Sequence, residues 1–236
     1  MSTLYMIRHG QASFGQKNYD QLSDLGIAQA KLLGEYYRDL GICFDEYYTG
    51  TMQRHLETAD HFFQAFSGEK KPCRALNSSE AFNEYDPEVV LRAVIPMLIE
   101  ENPDFSRDVD SMFTSRRSFQ IVFERAILKW VSGAVQAPGL ISWEEYAGRV
   151  KDGIQKIMMT HGKGKSIAVF SSGGPISAAV QKALCLTNEV SIQVGWQIIN
   201  SSVTRFKFTP DRMMMMSFNE YAHLEIKKEE SWITYR

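Results

Sequence analysis

The stretch YMIRHGQAS, residues 5–13, decides the fold. An apolar run stops abruptly at an arginine, a histidine and a glycine, as a buried strand does when it runs into a turn. A second unit of the same kind lies far along the chain, where FSSGGPISA, residues 170–178, passes from an apolar run through a glycine pair into a helical pattern. Between the two, helical and strand patterns alternate. LSDLGIAQAKLLGEYYRDLG (22–41) is an amphipathic helix that Ser23 can cap and Gly41 can close. FDEYYTG (44–50) is a short strand, TMQRHLETADHFFQAF (51–66) a helix, and residues 69–86 are irregular.

Two further helical patterns, 87–102 and 118–133, follow, with Pro87 suited to a first turn. Residues 142–162 form a long helix opened by Ser142; KSIAVFSS (165–172) is a buried strand, and 174–186 a helix. Residues 201–210 and 211–220 are two strands joined at Pro210-Asp211, the second with Met213 to Met216 on alternate faces. Strands alternating with helices predict an α/β fold, a three-layer α/β/α sandwich. The whole of 1–236 is read as one domain, with 87–140 as a helical insertion forming a lid over the strand ends.

Composition narrows the function. The chain has 236 residues, 44% hydrophobic and 23% charged, with a net charge of −2. That balance gives no reason to expect nucleic acid or an anionic membrane as partner. No apolar run approaches the ~20 residues that cross a bilayer, and no secretory leader pattern opens the sequence, so a cytoplasmic protein is expected. Cys43, Cys73 and Cys185 form no paired motif; buried or half-buried free thiols are expected. Oligomeric state leaves no trace in the sequence.

In this architecture ligands bind at the carboxyl ends of the strands. Arg8 and His9 end one strand, Arg54 lies in the first turn of the helix after YYTG, Glu84 sits in FNEYD, and Ser172 with Gly173 ends the later strand. Two arginines and a helix N-terminus make an anion site suited to phosphate. Neighbouring arginines keep an imidazole neutral, and neutral His9 is then a nucleophile. Phosphoryl transfer rests on positioning and charge neutralisation, so neither metal nor other cofactor is called for. Glu84 is the candidate general acid and base. His55, His61, His161 and His223 are read as surface or structural.

Taken together these motifs resemble the histidine phosphatase superfamily, which includes the phosphoglycerate mutases. YMIRHGQAS is similar to its opening strand. YDQLSDLGIAQAKLLGEYY (19–37), YYTGTMQRHLETAD (47–60), FNEYD (82–86) and INSSVTRFKF (199–208) resemble later segments, in order. The resemblance implies a phosphoglycerate mutase-like fold, a phosphohistidine on His9, phosphate held by Arg8 and Arg54, and a proton donor at Glu84, with Glu80 as the alternative. Gln11, Ser172 and Gly173 are expected to touch a small phosphorylated substrate. SRRSF (115–119) resembles a double-arginine substrate element of the mutases; Arg116 and Arg117 either serve it or simply begin an exposed helix. The family's second turn normally reads S-H-G-G, whereas this chain has Ser172 at the histidine position. Three readings stay open: a phosphatase, a weakened member that binds phosphorylated ligands or a protein partner, and a mutase.

Overall fold

The computed structural model describes residues 1–13, 20–67 and 75–235. In chain order the elements are β1 (Ser2–Arg8), α1 (Asp24–Asp39), β2 (Glu46–Thr49), α2 (Gln53–Ser67) and β3 (Leu76–Ser78). Next come α3 (Pro87–Glu101), α4 (Ser106–Ser111), α5 (Arg116–Val131), α6 (Trp143–Thr160) and β4 (Ser166–Ser171). α7 (Gly173–Leu184), α8 (Asn188–Gly195), β5 (Val203–Thr209), β6 (Arg212–Glu220) and α9 (Ala222–Glu225) complete the series. The strands form one sheet in the order β3-β2-β4-β1-β5-β6. The first four run parallel; β5 and β6 run antiparallel to their neighbours.

Alternation along the central strands builds both layers. Leu4 and Met6 of β1 and Ile167 and Val169 of β4 face a core with Ile154, Ile157 and Ile176 from α6 and α7. Tyr5, Ile7, Ala168 and Phe170 face the opposite side, against Leu33 and Tyr37 of α1 and Phe62 and Phe63 of α2. A sheet clothed by helices on both faces is the expected three-layer α/β/α sandwich. The helices between β3 and α6 carry a small core of their own, Phe105, Met112 and Val122.

The caps expected at Ser23 and Ser142 are present, and Asp86 adds one. The Ser23 hydroxyl accepts from Gly26 N–H, Asp86 caps α3 ahead of Pro87, and Ser142 with Glu145 forms a capping box on α6.

Three expectations need correction. Residues 76–78, read as irregular, form β3, a three-residue strand that pairs parallel with β2. α5 begins at Arg116, ahead of the expected start, because the Ser115 side chain accepts from Ser118 N–H. The methionine run does alternate as expected: Met213 is buried and Met215 packs against the same core, whereas Met214 is half-buried away from it and Met216 is exposed. β6 is an edge strand, and its register slips past Met216, since Phe206 faces Met215 while Arg205 faces Ser217. Cys43 and Cys185 are exposed rather than buried; Cys73 lies outside the described residues. Among the described residues no helix is long and apolar enough to cross a membrane.

Candidate active site

The turn after β1 is held from three sides. His9 N–H donates to Ser171 O at 2.8 Å, which extends the β1–β4 pairing one residue past the strand. Ser201 N–H lies 3.1 Å from both Arg8 O and His9 O, and Asn200 donates to His9 O at 3.2 Å. Gly10 N–H donates to Thr58 Oγ1 at 3.1 Å, and that hydroxyl donates to Arg54 O at 2.6 Å. Arg54 and Thr58 are four residues apart on α2, so one helical face presents both. Gln11 N–H donates to Gln29 Oε1 at 2.8 Å, and Gln11 Oε1 accepts from the Ser23 hydroxyl at 2.9 Å.

His9 is 5% exposed. Its Nδ1 lies 2.7 Å from Gly10 O. A carbonyl only accepts, so Nδ1 carries the proton and donates, which leaves Nε2 as a bare lone pair. Burial first, then the charges of Arg54 and Arg8 and the neighbouring His55, push its pKa well below the usual histidine value.

Arg54 is not the exposed helical residue its place on α2 suggests; it is 5% exposed. Its Nη1 donates to Asp20 Oδ1 at 2.5 Å, and Asp20 Oδ2 accepts from Gln53 N–H at 2.8 Å at the start of α2. Arg8 donates to Ile198 O through Nη1 and to Tyr235 O at 2.7 Å through Nη2.

Glu84 reaches the site by a chain of contacts. The Ser171 hydroxyl donates to Phe82 O at 2.7 Å and Tyr146 Oη donates to Asn83 O at 2.9 Å, so the 82–84 segment is fastened to the ends of β4 and α6. Both Glu84 oxygens then lie 3.1 Å from Gly174 N–H, in the first turn of α7. A Cβ on Gly174 would sit 2.0 Å from Glu84 Oε1 and 2.7 Å from Tyr146 Oη, so glycine is what admits the carboxyl. Desolvation of the enclosed carboxyl raises its pKa, against the lowering by Gly174 N–H and by Arg54 and Arg8. Glu80, the alternative donor, is exposed.

Ser172 is fully buried and occupies the N-cap position of α7 without capping it. Its Oγ lies 2.6 Å from His55 Nε2. His55 is the residue the sequence reading passed over. It is fully buried, as the structural alternative allowed, but its ring centroid lies 5.8 Å from that of His9. The available signal was the pairing of an extra histidine beside Arg54 with a missing one at 172. His223 is buried, as a structural residue is; His161 Nε2 lies 2.7 Å from Tyr48 Oη.

The structure thus brings Arg8, His9, Arg54, Glu84 and Ser172 to one edge of the sheet, with Gln11 in the turn and Gly173 opening α7. Arg116 and Arg117 are exposed in the first turn of α5, and no described hydrogen bond or ion pair joins them to the cluster. Among the described residues no group of three or more His, Cys, Asp or Glu is arranged to hold a metal ion.

A sequence profile of the histidine phosphatase superfamily (branch 1) matches residues 4–104 and 115–221. The chain belongs to this superfamily. A 2,3-bisphosphoglycerate-dependent phosphoglycerate mutase of Bartonella tribocorum is 35% identical over 68 residues, which span 26% of this chain and 33% of that protein. The match therefore covers about a third of the curated relative. Among solved structures, a phosphoserine phosphatase of Entamoeba histolytica in complex with 3-phosphoglyceric acid superposes with a TM-score of 0.64 at 19% identity, covering 95% of this chain and 100% of that one. A phosphoglycerate mutase of Bacillus anthracis gives 0.64 at 20% identity, with 97% of each chain covered. A mycobacterial glucosyl-3-phosphoglycerate phosphatase gives 0.62 at 16% identity, with 93% and 99% covered. At these identities the likeness is one of fold, and the superfamily's phosphoglycerate mutase-like sandwich is the fold of this chain.

Proposed function

We propose that the protein is a phosphatase that hydrolyses a small phosphomonoester through a phosphohistidine on His9. The observation that carries the reading is the His9 ring, whose Nδ1–H is committed to Gly10 O, leaving Nε2 unprotonated. In the first transfer Nε2 attacks phosphorus, the bond to the leaving oxygen breaks, and protonated Glu84 gives that oxygen its proton. In the second, ionised Glu84 takes a proton from water as the water oxygen attacks phosphorus and the phosphorus–Nε2 bond breaks, its electron pair returning to the His9 ring. Phosphate then leaves and His9 is neutral again.

Arg8 and Arg54 neutralise the equatorial oxygens. Arg54 exchanges Asp20 for phosphate, one anion for another. Gln11, Ser172 and Gly173 line the same turn pair. Residues 1–236 act as one domain, with 87–140 as the lid that selects the leaving group. Arg116 and Arg117 on that lid are the positions for a second anionic group on the substrate. The compounds named with the structural neighbours, 3-phosphoglyceric acid and glucosyl-3-phosphoglycerate, support a small phosphorylated substrate.

A second reading, binding of phosphorylated ligands without turnover, is favoured by one observation: Arg54 is already engaged by Asp20 beside a nearly buried His9. The test compares wild type with His9→Ala against an aryl phosphate and a panel of alkyl phosphomonoesters, with chelator present. Labelled substrate should leave an acid-labile, base-stable adduct on His9, and His9→Ala should be inactive. Equal hydrolysis by both proteins removes His9 from the reaction. Binding without turnover in wild type establishes the second reading.

A further inference from the structure

We infer that His55 is a positioning residue of the site, acting through Ser172, so that the two side chains together supply the hydrogen-bond donor aimed at the phosphoryl group. The inference deepens the proposed reaction at His9 and rests on that reading.

The tautomer of His55 follows from its surroundings. Nε2 lies 2.6 Å from Ser172 Oγ, while Nδ1 is buried with no hydrogen-bond partner among the described residues. A buried lone pair without a partner is tolerated better than a buried N–H without one. The proton therefore sits on Nε2, which donates to Ser172 Oγ, and Nδ1 is bare. Burial and the Arg54 charge hold the ring neutral, which agrees.

A serine hydroxyl that accepts in this way keeps its own hydrogen free to donate elsewhere. At the N-cap position that oxygen would normally accept from the first turn of its helix; here it does not. Ser172 is thus committed on one side to His55, whose ring lies 5.8 Å from that of His9, and offers its O–H on the other. The same tautomer excludes His55 as a base for Ser172, since its Nε2 has no lone pair to accept the hydroxyl proton. Ser172 is a donor to the substrate and not a nucleophile.

The fold makes room for this pair. A Cβ on Gly50 would lie 2.1 Å from His55 Nδ1 and 2.8 Å from Asn83 Oδ1. Glycine at the end of β2 is what admits an imidazole at position 55. Adjacent residues on α2 then place a guanidinium and a neutral donor close to His9.

The test is a double-mutant cycle on His55→Ala and Ser172→Ala, with His55→Gln as the conservative variant, because a glutamine amide can also donate to Ser172. Two readouts are taken: the dissociation constant of orthovanadate by calorimetry, and kcat on an aryl phosphate. Each alanine variant should weaken vanadate about 10-fold or more, on the scale of a lost donor to a charged group. The double variant should be no worse than His55→Ala within about 2-fold. His55→Gln should keep most of the affinity. Gly50→Ala, which crowds His55 without removing it, should match His55→Ala, and it decides the matter if His55→Ala does not fold. Losses that multiply, or a His55→Ala variant that melts lower yet binds vanadate normally, overturn the inference. Vanadate binding that follows the cycle in a protein with no turnover sinks the proposed reaction and leaves the pair standing. Turnover through His9 with a multiplicative cycle does the reverse, and a wild type that binds no vanadate overturns both.

Discussion

Alanine at position 174 tests the proton donor without touching it. The added Cβ would lie 2.0 Å from Glu84 Oε1, and real Cβ atoms do not approach closer than 3.0 Å, so the carboxyl must withdraw by 1 Å or more. Backbone cannot yield as cheaply, because Gly174 lies within the first turn of α7. A displacement of ~1 Å at a reacting group can cost ~10²-fold in rate. General acid help is needed most where the leaving oxygen is basic. The expected result of Gly174→Ala is a fall of about 10²-fold in kcat on an alkyl phosphate and less than about 10-fold on an aryl phosphate.

Stability should change less. Leaving the Gly174 N–H without its carboxyl acceptor costs ~1–3 kcal/mol, while alanine in a helix returns up to ~1 kcal/mol over glycine. A net loss of ~1–2 kcal/mol lowers Tm by about 2–8 °C in a chain of this size. Paired turnover assays and a thermal melt read both quantities. A folded Gly174→Ala variant with an unchanged alkyl-to-aryl ratio would refute the placement of Glu84 as the acid.

Arg54→Gln should raise the inhibition constant for inorganic phosphate about 10-fold or more, since a charge-assisted bond is lost; unchanged inhibition would confine Arg54 to its pairing with Asp20. His223 supplies a pH test of stability. Its pKa is lowered by burial to about 3 from the ordinary 6.5, so the unfolded chain binds its proton first and the fold loses stability as pH falls from 6.5 toward 3. At pH 5 the loss from this residue is ~2 kcal/mol relative to pH 7.5; melts at the two pH values should show His223→Gln losing less Tm on acidification than wild type, and equal losses would refute it.

The central strands were legible because burial on both faces writes a continuous apolar run, as in YMI before Arg8 and IAVF before Ser171. The caps at Ser23 and Ser142 were legible for a local reason: each acts on an N–H group three residues away. β3 was not, because three residues of Leu-Asn-Ser carry no period and become a strand only against β2. Glu84 was preferred to Glu80 from the sequence, but its contact with Gly174, ninety residues on, could not be read along the chain. The burial of Arg54 and His55 was hidden for the same reason. A helix pattern shows which residues share a face, not which strand ends that face will meet. His55 meets Ser172 only because β4 lies beside β2.

The sheet order also bears on the time course of folding. β1 and β2 are not neighbours; β4 lies between them and pairs with both. Until residues 166–171 are made, β1 and β2 each present an open edge on the side where β4 belongs, a hazard for pairing with other chains. His9 meets Ser171 across 162 residues of sequence, and His55 meets Ser172 across 117. Contacts that distant form slowly, because long loops must close before any stabilisation is gained. Insertion of β4 is therefore the step at which β1 and β2 are joined into one sheet and His9, His55 and Ser172 first come within reach of each other. During synthesis that step waits for the helices of 87–160 to emerge.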